Sequence, residues 1–103
     1  MLAAVLGASL LSTPAVAADA ALGRQKAAAC AVCHGPLGLS TAPDAPNLAG
    51  QPEMYLAGQL RAYRSGKREH EVMSLMAKPL SDADIDNIAA WFSSLKISVE
   101  PVP

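Results

Sequence analysis

Cys30, Cys33 and His34 stand in the order Cys-Ala-Val-Cys-His, two thiols three positions apart with an imidazole directly after the second. One helical turn brings both sulfurs to the same side, where they can form thioethers with two vinyl groups on one edge of a porphyrin. The imidazole next in sequence then lies beneath the ring centre and can bind its iron. The pattern predicts one covalently attached haem c with its iron. Cys30 and Cys33 are the expected thioether sulfurs and His34 the expected proximal ligand. Three other uses of these residues compete. A redox-active Cys-x-x-Cys calls for a strand before it and a helix after it, whereas here a helix precedes and a Pro/Gly loop follows. Zinc takes about four ligands. The only Cys and His in the chain are Cys30, Cys33, His34 and His70, and adjacency of Cys33 and His34 is poor tetrahedral geometry. A disulfide across so tight a loop would be strained.

A haem iron held by His34 takes a second axial ligand or keeps an open position. The downstream donors are Met54, His70, Met73 and Met76. Met73 and Met76 fall in a segment that reads as irregular, just before the last helix, where a side chain can be aimed. Met54 falls in the first turn of a helix and reads as packing. His70 stands between Glu69 and Glu71 and reads as a solvated loop residue. A thioether is soft and neutral. It favours Fe(II) over Fe(III) and raises the potential, which suits an electron carrier.

The elements that must position these groups are read from the rest of the chain. Its 103 residues hold one domain. A net charge of −1 gives no pull toward a polyanion, so nucleic acid is excluded as a partner. An apolar fraction of 51% excludes intrinsic disorder. Residues 1–18 carry no charge; Leu2, Val5, Leu6, Leu10 and Leu11 form a short apolar run, Pro14 breaks it, and Ala15-Val16-Ala17 fits a small-x-small cleavage site. This predicts a secretory signal peptide, too short to span a bilayer, cleaved after Ala17 or Ala18. Its opening Met1-Leu2 lacks the usual basic residue, so the signal is expected to be truncated at its start. Export to an oxidising compartment follows, most simply the bacterial periplasm, with no stable membrane insertion of the mature chain.

Residues 19–97 form the expected domain and 98–103 a tail. A helix is predicted from Ala20 to about Ala31, capped by Asp19 and ended by Gly35 and Pro36. Residues 35–52 read as a long irregular loop. A second helix runs from Pro52 to about Ser65, with Leu56, Leu60 and Tyr63 on one face and Gly66 closing it. Residues 67–80 read as irregular. Ser81 to Asp84 resembles a capping box, and Ile85, Ile88, Ala89, Phe92 and Leu95 follow at helical spacing. No strand is evident, so the class is all-α. Between Gly23 and Gln51 the large apolar residues are only Val32, Leu37, Leu39 and Leu48. That stretch cannot fill an interior by itself. A bulky apolar group that is not an amino acid would make up the deficit.

The chain resembles a class I cytochrome c, close to one domain of cytochrome c4 and to the small cytochromes c553. The resemblance rests on Gly23; on Cys30-Ala31-Val32-Cys33-His34-Gly35; on Pro46-Asn47-Leu48-Ala49-Gly50-Gln51; on Tyr55-Leu56, Gln59-Leu60, Tyr63, Gly66 and Arg68; on Met73; and on Leu80-Ser81-Asp82-Ala83-Asp84-Ile85 with Ile88-Ala89-Ala90-Trp91-Phe92. It implies a cytochrome c-like fold, three main helices and long irregular loops around a covalent haem. It places Met73, eight residues before Ser81, at the axial-methionine position, with Met76 as the fallback. It makes the Pro46 carbonyl the acceptor for the second nitrogen of His34. It sets Gly23 and Trp91 at a close crossing of the first and last helices. Cytochrome c4 has two haem domains in tandem and this chain has one such motif, with Lys96-Ile97-Ser98-Val99 at the point where the first domain would pass into the second.

The function so implied is one-electron transfer in the periplasm, with no catalytic residues. Its partners would be redox proteins: donor and acceptor cytochromes, an oxidase or a flavoprotein. One alternative is the haem-bearing subunit of a larger oxidoreductase, such as a flavocytochrome sulfide dehydrogenase. Another is a gas-binding or peroxidase-like protein with an open iron. Arg61, Arg64, Lys67 and Arg68 read as a solvated helix face ahead of a docking patch, and Asp82, Asp84 and Asp86 as compensation of a helix dipole.

Overall fold

The computed structural model describes residues 1–12 and 16–103. Pro14 and Ala15 of the expected cleavage site lie outside the described residues. Among the described residues five α-helices follow in order: α1 (Ala20–Lys26), α2 (Ala31–His34), α3 (Glu53–Ser65), α4 (Met73–Ala77) and α5 (Asp82–Ser94), with a 3-10 turn at Ala27–Ala29 before α2. No strand occurs among the described residues, and the fold is all-α.

α1 begins where the Asp19 carboxylate accepts the amides of Ala21 and Leu22 at 2.9 and 3.1 Å. The amide of Asp19 itself donates to Asn87 Oδ1 at 2.8 Å, which ties the start of α1 to α5. The two helices cross at Gly23. A Cβ on that residue would stand 1.8 Å from the carbonyl oxygen of Asn87. The nearest neighbours of Gly23 are thus backbone atoms of α5, and Trp91, which the sequence also sets at this crossing, lies one turn further along α5. Trp91 is covered by Arg24, whose guanidinium lies 5.1 Å from its ring centroid.

The Ala-rich run does not continue as one helix to Ala31. The chain tightens over Ala27–Ala29, where Ala27 is buried against the core, and winds again as α2. Helix propensity alone cannot register that packing. α3 follows Pro52 and ends at Gly66, which adopts φ 86°, a left-handed helix stop. α5 starts with a reciprocal capping box: Ser81 Oγ accepts the Asp84 amide at 3.0 Å and the Asp84 carboxylate accepts the Ser81 amide at 3.0 Å.

The core is formed by Leu56 and Ala57 of α3 with Ile85, Ile88, Ala89 and Phe92 of α5, and Ala27. Phe92 and Ile85 are its largest fully buried side chains. Each contributes roughly 1.5–3 kcal/mol by leaving water. Polar groups fasten the same helices from outside. Arg61 pairs with Asp86 at 2.8 Å, and Arg64 reaches Asp82 at 2.6 Å and the Leu80 carbonyl at 3.0 Å. The Arg64 guanidinium holds the Asp82 carboxyl below the ordinary carboxylate range, and the Ser81 amide does the same for Asp84. Arg61 and Arg64 are therefore engaged inside the molecule, and Arg68 lies over Tyr63 at 4.7 Å. These exposed pairs orient α3 on α5 more than they stabilise it.

Candidate haem-binding site

The Cys-x-x-Cys-His run coincides with α2 and its approach. The amides of Cys33 and His34 both donate to the Cys30 carbonyl, at 3.3 and 2.9 Å, so the motif is one closed helical turn. Both thiols are free; Cys30 is partly buried against the core and Cys33 is exposed. Burial pushes the Cys30 thiol up from its ordinary value. Gly35 ends the turn with φ 80°, and a Cβ there would meet the Leu39 carbonyl oxygen at 1.9 Å. Only glycine lets the chain reverse so sharply beneath the motif.

That reversal folds the loop after α2 back over it. The amide of Thr41 donates to the Cys33 carbonyl at 3.1 Å, and the amides of Leu48 and Ala49 donate to the Gly38 carbonyl at 2.7 and 3.0 Å. Asn47 Oδ1 accepts the Ser40 amide at 2.7 Å. At the far end the Gly50 amide donates to the Phe92 carbonyl at 2.9 Å. Pro46 is held between these clamps, with its carbonyl oxygen 2.8 Å from His34 Nδ1. A carbonyl oxygen only accepts, so Nδ1 is the donor, and in the neutral ring this tautomer leaves the lone pair on Nε2. His34 is 7% exposed, the one buried polar residue among those described. Its Nε2 has no hydrogen-bond partner among the described residues.

Met73 opens α4 and is partly buried; Met76 lies three residues on and is 39% exposed. Both were expected in an irregular segment. They stand on a short helix anchored by the fully buried Ala77. Five residues are too few to show a helical period in the sequence. Met54, on the first turn of α3, is 88% exposed and contributes nothing to the core. The His70 imidazole is not merely solvated: Nδ1 accepts the amides of Val72 and Met73, each at 3.2 Å. Sequence reasoning missed this. The signal was His70 three residues ahead of Met73, the spacing of a helix cap.

These residues fit a covalently held haem. Two unbridged thiols share a helical turn with a buried imidazole whose Nδ1 is bound to the Pro46 carbonyl. Around that turn apolar side chains lie uncovered: Val32 is 79% exposed, Leu37 53% and Leu39 56%. The core described above belongs to α3, α5 and the 3-10 turn at Ala27, and none of these three residues enters it. An apolar ring system would cover what the polypeptide leaves bare. An open groove of about 750 Å³ lies elsewhere, between the end of α3 and α4, with Tyr63, His70 and Lys78 in its walls. It is unconnected with the thiols and His34.

Comparison with known proteins gives the same assignment. Residues 20–96 match the family model described as cytochrome c. The chain is 46% identical over 101 residues to the thiosulfate dehydrogenase electron acceptor of Thiomonas intermedia, covering 97% of this chain and 45% of that protein. It is 47% identical over 81 residues to cytochrome c-554(548) of Halomonas halodenitrificans, covering 76% of this chain and 98% of that one. Among solved structures, reduced recombinant cytochrome c4 from Pseudomonas stutzeri superposes with a TM-score of 0.74 at 46% identity, over 81% of this chain and 48% of that one. The chain thus spans less than half the length of the Thiomonas protein and of the crystallised cytochrome c4, and nearly all of the Halomonas cytochrome. It belongs to the cytochrome c family, as a single class I domain for one covalent haem c.

Proposed function

We propose that this chain is a one-electron carrier of the periplasm, exported by the segment at residues 1–18. Haem c, when bound, supplies a reversible Fe(II)/Fe(III) couple. Cys30 and Cys33 hold it covalently, which keeps the cofactor in a domain too small to enclose it. His34 is the proximal ligand. Its hydrogen bond to Pro46 fixes the plane of the imidazole and raises the basicity of Nε2. Met73 is the distal ligand, with Met76 as the fallback. Its thioether would favour the reduced state of a bound haem iron. The clamps on the 35–52 loop and the capped helices keep these donors in place through both oxidation states, so little has to rearrange. No helix of the described residues is long and apolar enough to cross a membrane.

The observation that carries this reading is the 2.8 Å contact between His34 Nδ1 and the Pro46 carbonyl, beside two free thiols on one turn. The test is ligand competition. Reduced holoprotein at neutral pH should bind carbon monoxide slowly or not at all, and the oxidised form should show the weak thioether-to-iron absorption band. Rapid carbon monoxide binding with no such band would replace the carrier by a gas-binding or peroxidase-like protein.

A second reading has a specific observation behind it. The 46% identity to a thiosulfate dehydrogenase electron acceptor extends over 97% of the chain. It supports a carrier that takes electrons directly from a sulfur-compound dehydrogenase, as a subunit or a docked partner.

A further inference from the structure

We propose that His70 is a positioning residue for Met73. The inference rests on the reading of Met73 as the distal ligand and adds what holds it. The hydrogen-bonded winding of α4 starts ahead of its regular residues: the Ser74 amide donates to the His70 carbonyl at 3.0 Å. By that bond His70 occupies the capping position, and Glu71, Val72 and Met73 are the first three residues of the turn. His70 Nδ1 accepts from the second and third of their amides, Val72 and Met73, each at 3.2 Å. The Ser74 hydroxyl closes the arrangement by accepting the His70 amide at 3.0 Å. An imidazole here does what Ser, Thr, Asn or Asp does at most helix starts.

The need for a cap is physical. α4 has five regular residues and only Ala77 is buried. A helix that short does not pay for its own nucleation. It is held at its far end, where Ala77 packs and the Leu80 amide donates to the Ala77 carbonyl at 3.1 Å. At its near end side-chain hydrogen bonds come from His70 and Ser74, and Met73 stands at that end. Loss of the imidazole would let the first turn fray, and Met73 would fray with it. His70 would therefore govern how firmly the Met73 thioether is held for the iron, acting through the amides of Val72 and Met73.

The experiment uses holoprotein carrying His70→Ala, His70→Asn or Met73→Ala. The readouts are the rate of carbon monoxide binding to the reduced form and the thioether-to-iron band of the oxidised form. Loss of an exposed cap should make His70→Ala bind carbon monoxide about five-fold faster. The band should persist at room temperature and fade at a lower temperature than in the unsubstituted protein. His70→Asn, which retains a capping acceptor, should restore both. An unchanged rate in His70→Ala with the band intact overturns the inference and leaves Met73 as ligand. Equal acceleration in His70→Ala and His70→Asn overturns it too, because capping would then not be what matters. A band that survives in Met73→Ala shows instead that the ligand assignment was at fault, and the inference falls with it.

Discussion

Met73→Ala should lower the reduction potential by on the order of 0.1 V or more, a modest part of the ~0.8 V range over which axial ligands act. The direction follows from ligand chemistry. A thioether is a soft, neutral donor and stabilises Fe(II) relative to Fe(III). Its replacement by water brings a hard oxygen, which favours the oxidised state. The same substitution should abolish the thioether-to-iron band and let carbon monoxide bind rapidly to the reduced form. Met73 is partly buried at the start of a capped helix, whereas Met76 is 39% exposed one turn later. If Met73→Ala leaves the potential and the band unchanged while Met76→Ala changes both, the distal ligand is Met76.

Gly23→Ala should cost the fold about 1–3 kcal/mol or more, the range for overpacking a tight contact. The new Cβ would stand 1.8 Å from the Asn87 carbonyl oxygen, 2.4 Å from its carbon and 3.0 Å from the Ile88 nitrogen. These are backbone atoms within α5, so no side chain can rotate aside. α1 must move away, and with it the Asp19–Asn87 hydrogen bond and the Arg24–Trp91 contact. The melting temperature of the holoprotein should fall by about 5–20 °C for a domain of this size. Gly58→Ala is the matched control: it lies within α3 with nothing within 4 Å of its Cβ position. There the gain in helix propensity should leave stability equal or higher by up to about 1 kcal/mol. Equal melting temperatures for the two variants would show that the crossing is looser than described.

Much of the site was legible because its chemistry is local. Cys30, Cys33 and His34 occupy one turn, so their spacing in sequence is their geometry in space. The α5 capping box could be read because both partners lie within four residues. The long-range features are a different matter. Pro46 is twelve residues from His34 and meets it through a loop held by Gly35, Gly38 and Asn47; only likeness to a family pointed there, not the residues themselves. The backbone atoms of Asn87 and Ile88 that Gly23 meets could not be read, because backbone has no sequence signature. α4 was missed because its order comes from Ala77 in the core and from an imidazole cap, neither of which leaves a periodic trace. The charge clusters were read separately, as a solvated face and a dipole effect, since nothing in one segment says that Arg61 and Arg64 will meet Asp86 and Asp82.

A shortage of apolar interior around Val32, Leu37 and Leu39 underlies the whole assignment. The intact mass of the protein recovered from its native host measures the proposed remedy most directly. The mass should equal a chain cleaved near residue 18 plus one haem, with no thiol left to alkylate. A folded, exported chain of unmodified mass whose Cys30 and Cys33 both react as free thiols would contradict it.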